Sequence, residues 1–171
     1  MRKVFLAVAV VAAFVVPSGT ALATDANGNH ATYVWVVGAT TPSDSAMAPD
    51  GSTITMRGHG MLTAGPGGSA TGGGSFTTSG GASGHWTATD VEGFVSYGSA
   101  GPPLPPALTG GEAKLKVTLS NGQTGVLTIT CLLGSPPTSK MEGITLILGA
   151  GSSAEYTKPV PESGTTVFIA S

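Results

Sequence analysis

Charged side chains are scarce in this chain. Of its 171 residues, 7 are Lys or Arg and 9 are Asp or Glu, which gives a formal net charge of −2 at pH 7. A protein that binds nucleic acid needs a basic stripe to displace counterions from phosphates. The basic residues beyond the N-terminal segment instead stand singly, at Arg57, Lys114, Lys116, Lys140 and Lys158. The composition therefore argues against nucleic acid, and against an anionic membrane surface, as a partner.

Cysteine is nearly absent, since Cys131 is the only one. An intrachain disulfide is excluded, so an exported chain of this length must gain its stability from an apolar core. Cys131 lies in GVLTITCLLG, with Leu127, Ile129 and Leu133 at period two. We therefore expect its thiol to face inward as a small hydrophobic group, without a neighbour that would stabilise a thiolate.

Motifs for metal binding and for catalysis are also missing. The sequence contains no His-X-His, His-Glu-X-X-His or Gly-X-Ser-X-Gly motif, no Ser-X-X-Lys and no phosphate-binding loop. The three histidines, His30, His59 and His85, are far apart in the sequence. We accordingly expect no metal and no cofactor.

The N-terminal segment has the pattern of a secretory signal peptide. Arg2 and Lys3 precede an apolar run that ends before Pro17, and Ala21-Leu22-Ala23 supplies the small residues of a cleavage site. The run is shorter than the ~20 apolar residues that cross a membrane. We predict cleavage after residue 23, no transmembrane span in the mature chain, and one domain over residues 24–171. The mature protein is expected to be secreted and extracellular, or periplasmic in a Gram-negative cell.

The remaining sequence predicts an all-β fold. No segment repeats apolar residues at helical spacing, whereas short alternating runs are separated by turn-forming residues. The pattern is typical of a single-domain antiparallel β-barrel or a strongly coiled β-sandwich of eight or nine short strands. The expected strands are His30 to Val37, Thr53 to Leu62, Ala70 to Thr78, His85 to Tyr97, Glu112 to Leu119, Gly125 to Leu133, Gly143 to Leu148, Ala154 to Lys158 and Thr165 to Ala170.

One hairpin can be assigned a register from side-chain parity. A two-residue loop at Asn121-Gly122 would place lysines opposite core residues in EAKLKVTLSNGQTGVLTITCLL. A three-residue loop that includes Ser120 pairs Leu115 with Leu127 instead, and leaves the lysines on a solvent face. Because a slip of one residue turns over a whole strand, we predict the three-residue loop, with Gly122 in the left-handed conformation.

The stretch GSATGGGSFTTSGGASGHWTATD, residues 68–90, has the composition of a linker but carries Phe76 and Trp86. Linkers lack large aromatic residues, so we predict a hairpin that turns at SGGAS. Its three consecutive glycines, together with Gly58 and Gly60, indicate a bend or a close backbone approach. The two long connections, residues 38–52 and 98–111, are predicted to be loops, and the proline-rich second one to be largely extended polyproline.

The candidate binding residues are Arg57, His59, Asp90 and Glu92. Arg57 and His59 alternate on one strand, opposite the face that carries Ile54, Met56 and Leu62, and Asp90 and Glu92 alternate on another. If the two strands bring these faces together, the four side chains form a polar cluster that could bind a small polar ligand.

The sequence thus favours a secreted β-protein that acts as a non-catalytic binding or interaction module for a small ligand or an extracellular protein. Two alternatives stay open. One is a small extracellular enzyme that uses a polar barrel interior around the four candidate residues, and the other is a structural envelope or matrix protein.

Overall fold

The structure, a computed structural model, describes residues 30–39, 43–149, 155–161 and 164–171. The predicted signal peptide, residues 1–23, lies outside these ranges. The described chain is all-β, and its eleven strands form one antiparallel sheet. Within the described ranges, no helix has the length and apolar character needed to cross a membrane.

Every predicted strand has a counterpart in the structure, but several bounds differ. Two short strands, rather than one, overlap the described part of the predicted segment 154–158, and the first long connection contains a strand that the sequence did not predict. In chain order they are β1 (Ala31–Val37), β2 (Asp44–Met47), β3 (Thr53–Ala64), β4 (Ser69–Thr78), β5 (Ser83–Ser99), β6 (Leu108–Leu119), β7 (Thr124–Cys131), β8 (Gly143–Leu148), β9 (Glu155–Tyr156), β10 (Lys158–Pro159) and β11 (Val167–Ala170).

The sheet is organised around the long strands β3 to β6, which pair in sequence order. Along the edge of β3 that faces away from β4, the first half of the strand pairs with β2 and the second half pairs with β1. In the same way, the edge of β6 that faces away from β5 pairs with β11 at the start of the strand and with β7 along the rest. Since β1 also pairs with β11, the ladders run from β3 through β4, β5, β6, β11 and β1 back to β3.

The remaining strands extend the sheet from β3 and from β6 and come into contact with each other. On one side β10 extends β2, and on the other β8 and β9 extend β7. Strand β8 lies against β2, but no ladder joins the two among the described residues. We call this contact the β2–β8 seam.

The buried face of the sheet carries the core. Two aromatic groups occupy it: Tyr33, Phe94 and Phe168 pack with ring centroids 4.4 and 5.0 Å apart, and Trp35 stacks on Trp86 at 5.4 Å. Aliphatic side chains of β3, β6, β7 and β8 fill the rest, among them Ile54, Met56, Leu62, Leu115, Leu127, Ile129, Ile144 and Leu146. As predicted, Cys131 is part of this core and is 1% exposed.

The glycine-rich stretch is strand, which confirms the predicted hairpin. Gly58 pairs with Gly74 and Gly60 with Gly72, and these glycines share the inner face with the two indoles. A Cβ at Gly58 would lie 2.8 Å from Cζ2 of Trp86, and one at Gly60 would overlap the ring of Trp35. The glycines therefore make room for two tryptophans, which is the close packing that their spacing predicts.

The β6–β7 hairpin also has its predicted register. Leu115 faces Leu127, Lys114 faces Thr128, and Gly122 adopts a φ of 85° in the turn. Only glycine takes this conformation without steric cost, so the bulged three-residue loop is confirmed.

The two long connections differ from the predictions. Residues 44–47 form β2, whose alternating Asp44 and Ala46 are buried. The proline-rich segment is not an extended polyproline helix, because consecutive turns fold it back, with the Leu104 amide donating to the Gly101 carbonyl and the Leu108 amide to the Pro105 carbonyl. Strand β6 then begins at Leu108, three residues before the predicted loop ends.

Candidate functional site

A depression of about 490 Å³ opens on the outer face of β3, β4 and β5, next to the end of β1. Arg57 pairs with Ser75, and Ser75 pairs with His85, so these three side chains form a row across three strands. His59 lies two residues further along β3 and pairs with Gly73. We call this site the Arg57 depression, and the residues that line it include Arg57, His59, Gly73, Ser75 and His85.

The floor of the Arg57 depression is bare backbone. Gly73 faces outward between His59 and Thr87, and a Cβ at this position would collide with the carbonyl oxygen of Trp86 and lie 3.0 Å from the Cα of Thr87. Glycine is therefore required at residue 73 for packing. Because it has no side chain, the depression between His59 and His85 stays open at this position.

The lining of the Arg57 depression contains one fixed cation, the guanidinium of Arg57. Arg57 is exposed, and within the described chain the ion pairs are Lys116 with Asp90 and Lys140 with Glu112, so its guanidinium has no carboxylate partner there. A guanidinium presents five N–H donors in a planar fork that matches carboxylate, sulfate and phosphate oxygens. The side chain is thus available to an oxyanion from solvent.

The carboxylates that the sequence predicted for the same cluster lie elsewhere. Asp90 and Glu92 border a second depression, formed with the turn at residues 65–68. Strand β4 separates β3 from β5, and two register shifts in β5, after Ala88 and after Val91, alter the alternation in this region. The structure therefore brings Arg57 and His59 to one depression and Asp90 and Glu92 to another.

Asp90 already has a cationic partner. Its Oδ2 accepts a hydrogen bond from Nζ of Lys116 at 3.1 Å, and its Oδ1 accepts one from the Val91 amide. The Lys116 bond, followed by the Val91 bond, lowers the pKa of Asp90. This carboxylate is part of a surface ion pair between β5 and β6 rather than a free binding group.

None of the four predicted residues faces the core. Arg57, His59 and Glu92 are exposed and Asp90 is half-buried, while most side chains of the buried face are apolar. The enzyme alternative placed these side chains around a polar interior, whereas the alternation of β3 turns Arg57 and His59 away from the buried face.

A second group of polar side chains lies inside, at the β2–β8 seam. The side chain of Asp44 is buried, with the residue 1% exposed, and its Oδ2 accepts a 2.5 Å hydrogen bond from the Gly38 amide. Burial raises the pKa of Asp44 to about 6, the Gly38 bond opposes this, and nearby Glu142 raises it further. Asp44 is therefore a buried carboxyl group whose pKa is higher than that of an ordinary aspartate.

Glu142 holds three elements together. Its Oε2 accepts the Leu132 amide at 2.6 Å, and its Oε1 accepts the amide and the hydroxyl of Thr166 at 3.2 and 2.5 Å. Glu142 thereby fixes the end of β7 and the start of β11 next to β8. Burial raises the pKa of the adjacent Cys131 thiol, and the charge of Glu142 adds to the rise.

Sequence reasoning missed His85, Asp44 and Glu142 as site residues. The pairing of β4 with β5 brings His85 beside Arg57, so extending the predicted hairpin to its cross-strand neighbours would have found it. Asp44 stood in a predicted loop, and nothing near Glu142 in the sequence distinguished it from a solvated carboxylate.

No cluster of three or more His, Cys, Asp or Glu side chains suited to a metal ion occurs in the described parts of the chain. No family model, curated protein or solved structure matches this chain.

Proposed function

We propose that this chain is an exported, non-catalytic β-barrel protein that binds small oxyanions at the Arg57 depression. The observation that carries the proposal is an exposed guanidinium, without a carboxylate partner among the described residues, beside two imidazoles and over the bare backbone of Gly73. Export is inferred from the signal-peptide pattern of residues 1–23. The closed cycle of ladders from β3 back to β3 supports the barrel.

The shape and chemistry of the depression favour a small ligand. Its volume lies within the ~300–1,000 Å³ of small-molecule sites, and the groups that converge on it are hydrogen-bond donors of an arginine, two histidines and a serine. Because the site is open to water and the charge is screened, we expect weak binding, with a Kd of about 1–10 mM for a simple anion.

The arrangement also favours binding over catalysis. Ser75 and His85 are cross-strand neighbours, but no hydrogen bond joins their side chains. No carboxylate lines the depression to orient the imidazole, among the residues described there. An activated serine requires both contacts, so the site lacks the geometry of a nucleophile and its base.

The test is a titration of ¹⁵N-labelled protein with sodium sulfate, at ionic strength held constant with sodium chloride. We expect saturable shifts of the Gly73 and Gly74 amides, and parallel titrations with phosphate, acetate and glucuronate then rank the oxyanions. The Arg57→Gln variant should lose most of the shift, while Lys114→Gln, which removes an exposed positive charge from β6, should not. Absence of saturable shifts, or equal loss in both variants, would leave the enzyme and matrix alternatives as the better hypotheses.

A further inference from the structure

An apolar surface continues from the Arg57 depression along the outer face of the sheet. Strand β1 pairs with β3 on one side and with β11 on the other, so the outward side chains of the three strands stand beside one another in rows. Two neighbouring rows carry mainly apolar side chains, which we call the apolar stripe: Val34, Val36, Met61, Val167 and Ile169. A contiguous apolar surface on the outside of a protein is typical of a binding site.

The apolar stripe is accessible from solvent and has a cation at one end. Met61 is 49% exposed, and the four aliphatic side chains of the stripe are half-buried. Arg57 is the only Lys, Arg, Asp or Glu in β1, β3 and β11. A ligand that lies along the stripe therefore meets a single charged group on these three strands, and that group is positive.

The apolar stripe and the Arg57 depression are continuous. Val36 belongs to the stripe and also lines the depression, as does its cross-strand neighbour His59. Arg57 and Met61 are four residues apart on β3, which corresponds to about 13 Å along an antiparallel strand. An extended alkyl chain of about eight carbons, together with an acidic head group, has a similar length. The stripe can therefore accommodate a chain of medium length whose head group lies at Arg57.

We propose that the ligand of the Arg57 depression is an acidic amphiphile, whose oxyanion head group binds Arg57 and whose unbranched apolar chain lies along the apolar stripe. This inference rests on the proposed oxyanion site and names the class of molecule that uses it. Removal of the chain from water supplies affinity that a screened surface charge alone does not. The ligand is a single dissolved molecule rather than an anionic membrane, because attraction to such a surface requires several Lys or Arg side chains and these strands carry one.

The experiment titrates ¹⁵N-labelled protein with inorganic sulfate and with butyl, hexyl and octyl sulfate, at constant ionic strength and below the concentrations at which these form micelles. Complete burial of a methylene group strengthens binding about fourfold, and a chain on an open face buries about half of its surface. We therefore expect the Kd to fall about twofold for each methylene group, or about 15-fold from butyl to octyl sulfate. As the chain lengthens, the shifts should extend from the Gly73 and Gly74 amides to those of Val36 and Met61.

Two exposed methionines provide a matched pair of variants. Met61→Ser should weaken the binding of octyl sulfate about three- to fivefold relative to that of inorganic sulfate. Met141→Ser should leave this ratio unchanged, because Met141 is 47% exposed but lies outside β1, β3 and β11. Val34→Thr, which keeps the branched shape of the side chain and adds a hydroxyl to the stripe, serves as the second variant if Met61→Ser does not fold.

The outcomes separate this inference from the proposed function. Saturable binding of inorganic sulfate without a gain from the chain, or equal effects of the two methionine substitutions, would overturn the amphiphile and leave the oxyanion site standing. Absence of saturable binding of both inorganic and octyl sulfate would refute both proposals. Octyl sulfate binding that Arg57→Gln leaves unchanged would also overturn the inference, as would binding to phosphatidylglycerol vesicles without binding of dissolved octyl sulfate.

Discussion

The clearest quantitative consequence of the fold concerns Gly60, whose hydrogen atoms face Trp35. An alanine there would place Cβ 2.7 Å from Cε2 of the indole, nearer still to Cζ2, and against the carbonyl oxygen of Thr71. Trp35 is fully buried and stacked on Trp86, so its ring has no room to withdraw. Overpacking of this kind costs about 2–3 kcal/mol, in spite of the better intrinsic strand propensity of alanine.

The assay is urea and thermal unfolding of Gly60→Ala, followed by tryptophan fluorescence and circular dichroism. At about 2–4 °C for each kcal/mol, the melting temperature should fall by about 4–12 °C. Gly93→Ala is the matched control, because this glycine also lies in a strand but has no atom within 4 Å of its Cβ position and no positive φ. Its stability should stay the same or rise by about 0.5 kcal/mol.

Two outcomes would refute the packing argument. One is equal stability of Gly60→Ala and Gly93→Ala, which would mean that the glycines of β3 are interchangeable with alanine. The other is the absence of coupling in a double-mutant cycle. Trp35→Phe removes the outer ring that the new methyl group meets, so we expect it to recover about 1 kcal/mol in the presence of Gly60→Ala.

Three further comparisons test the core and its turns. In urea unfolding, Trp86→Phe should destabilise the protein by about 1 kcal/mol more than Trp35→Phe. The Trp86 indole donates a hydrogen bond to the Arg57 carbonyl, whereas the buried indole nitrogen of Trp35 has no acceptor among the described residues. Equal losses of stability in the two variants would contradict this reasoning. Gly122→Ala should lower the free energy of unfolding by about 1 kcal/mol, because Gly122 has a φ of 85°, and Gly122→Asn should lower it less. Thermal unfolding measures both changes. An alanine variant as stable as the wild type would show that the turn rearranges. Thr166→Val should cost about 1–3 kcal/mol and Thr166→Ser much less, since only valine removes the hydroxyl that donates to the Thr130 carbonyl and Glu142. Equal costs would show that the hydroxyl is not the main contribution of Thr166 to stability.

Much of the local structure could be predicted from parity. In the β6–β7 hairpin the two candidate registers differ in whether Lys114 and Lys116 share a face with Leu127 and Ile129, and only one is compatible with a buried apolar face. The same reasoning fails where the alternation is interrupted. Strand β5 shifts register after Ala88, after Val91 and after Ser96, so strict alternation does not hold along it.

The order of the strands in the sheet and the candidate site could not be predicted in this way, because both depend on which strands become neighbours. Strand β2 was not predicted because it lies in a segment rich in turn-forming residues. Its buried face consists of Asp44 and Ala46 and contains no large apolar side chain. The outward orientation of Arg57 and His59 follows from the alternation of β3. Their link to Asp90 and Glu92 required β3 to lie beside β5, and β4 occupies that position.

The run Gly72-Gly73-Gly74 shows why a linker-like composition can belong to the most constrained part of a sheet. Successive residues of a strand point to opposite faces. Gly72 and Gly74 lie on the inner face, where an added Cβ would collide with the backbone of β3, and Gly73 lies on the outer face, where it would collide with β5. Crowding on one face alone would require glycine only at alternate positions, as in β3 at Gly58 and Gly60. Three in succession require close approach on both faces, so the packing of the tryptophan pair and the floor of the Arg57 depression depend on the same short segment.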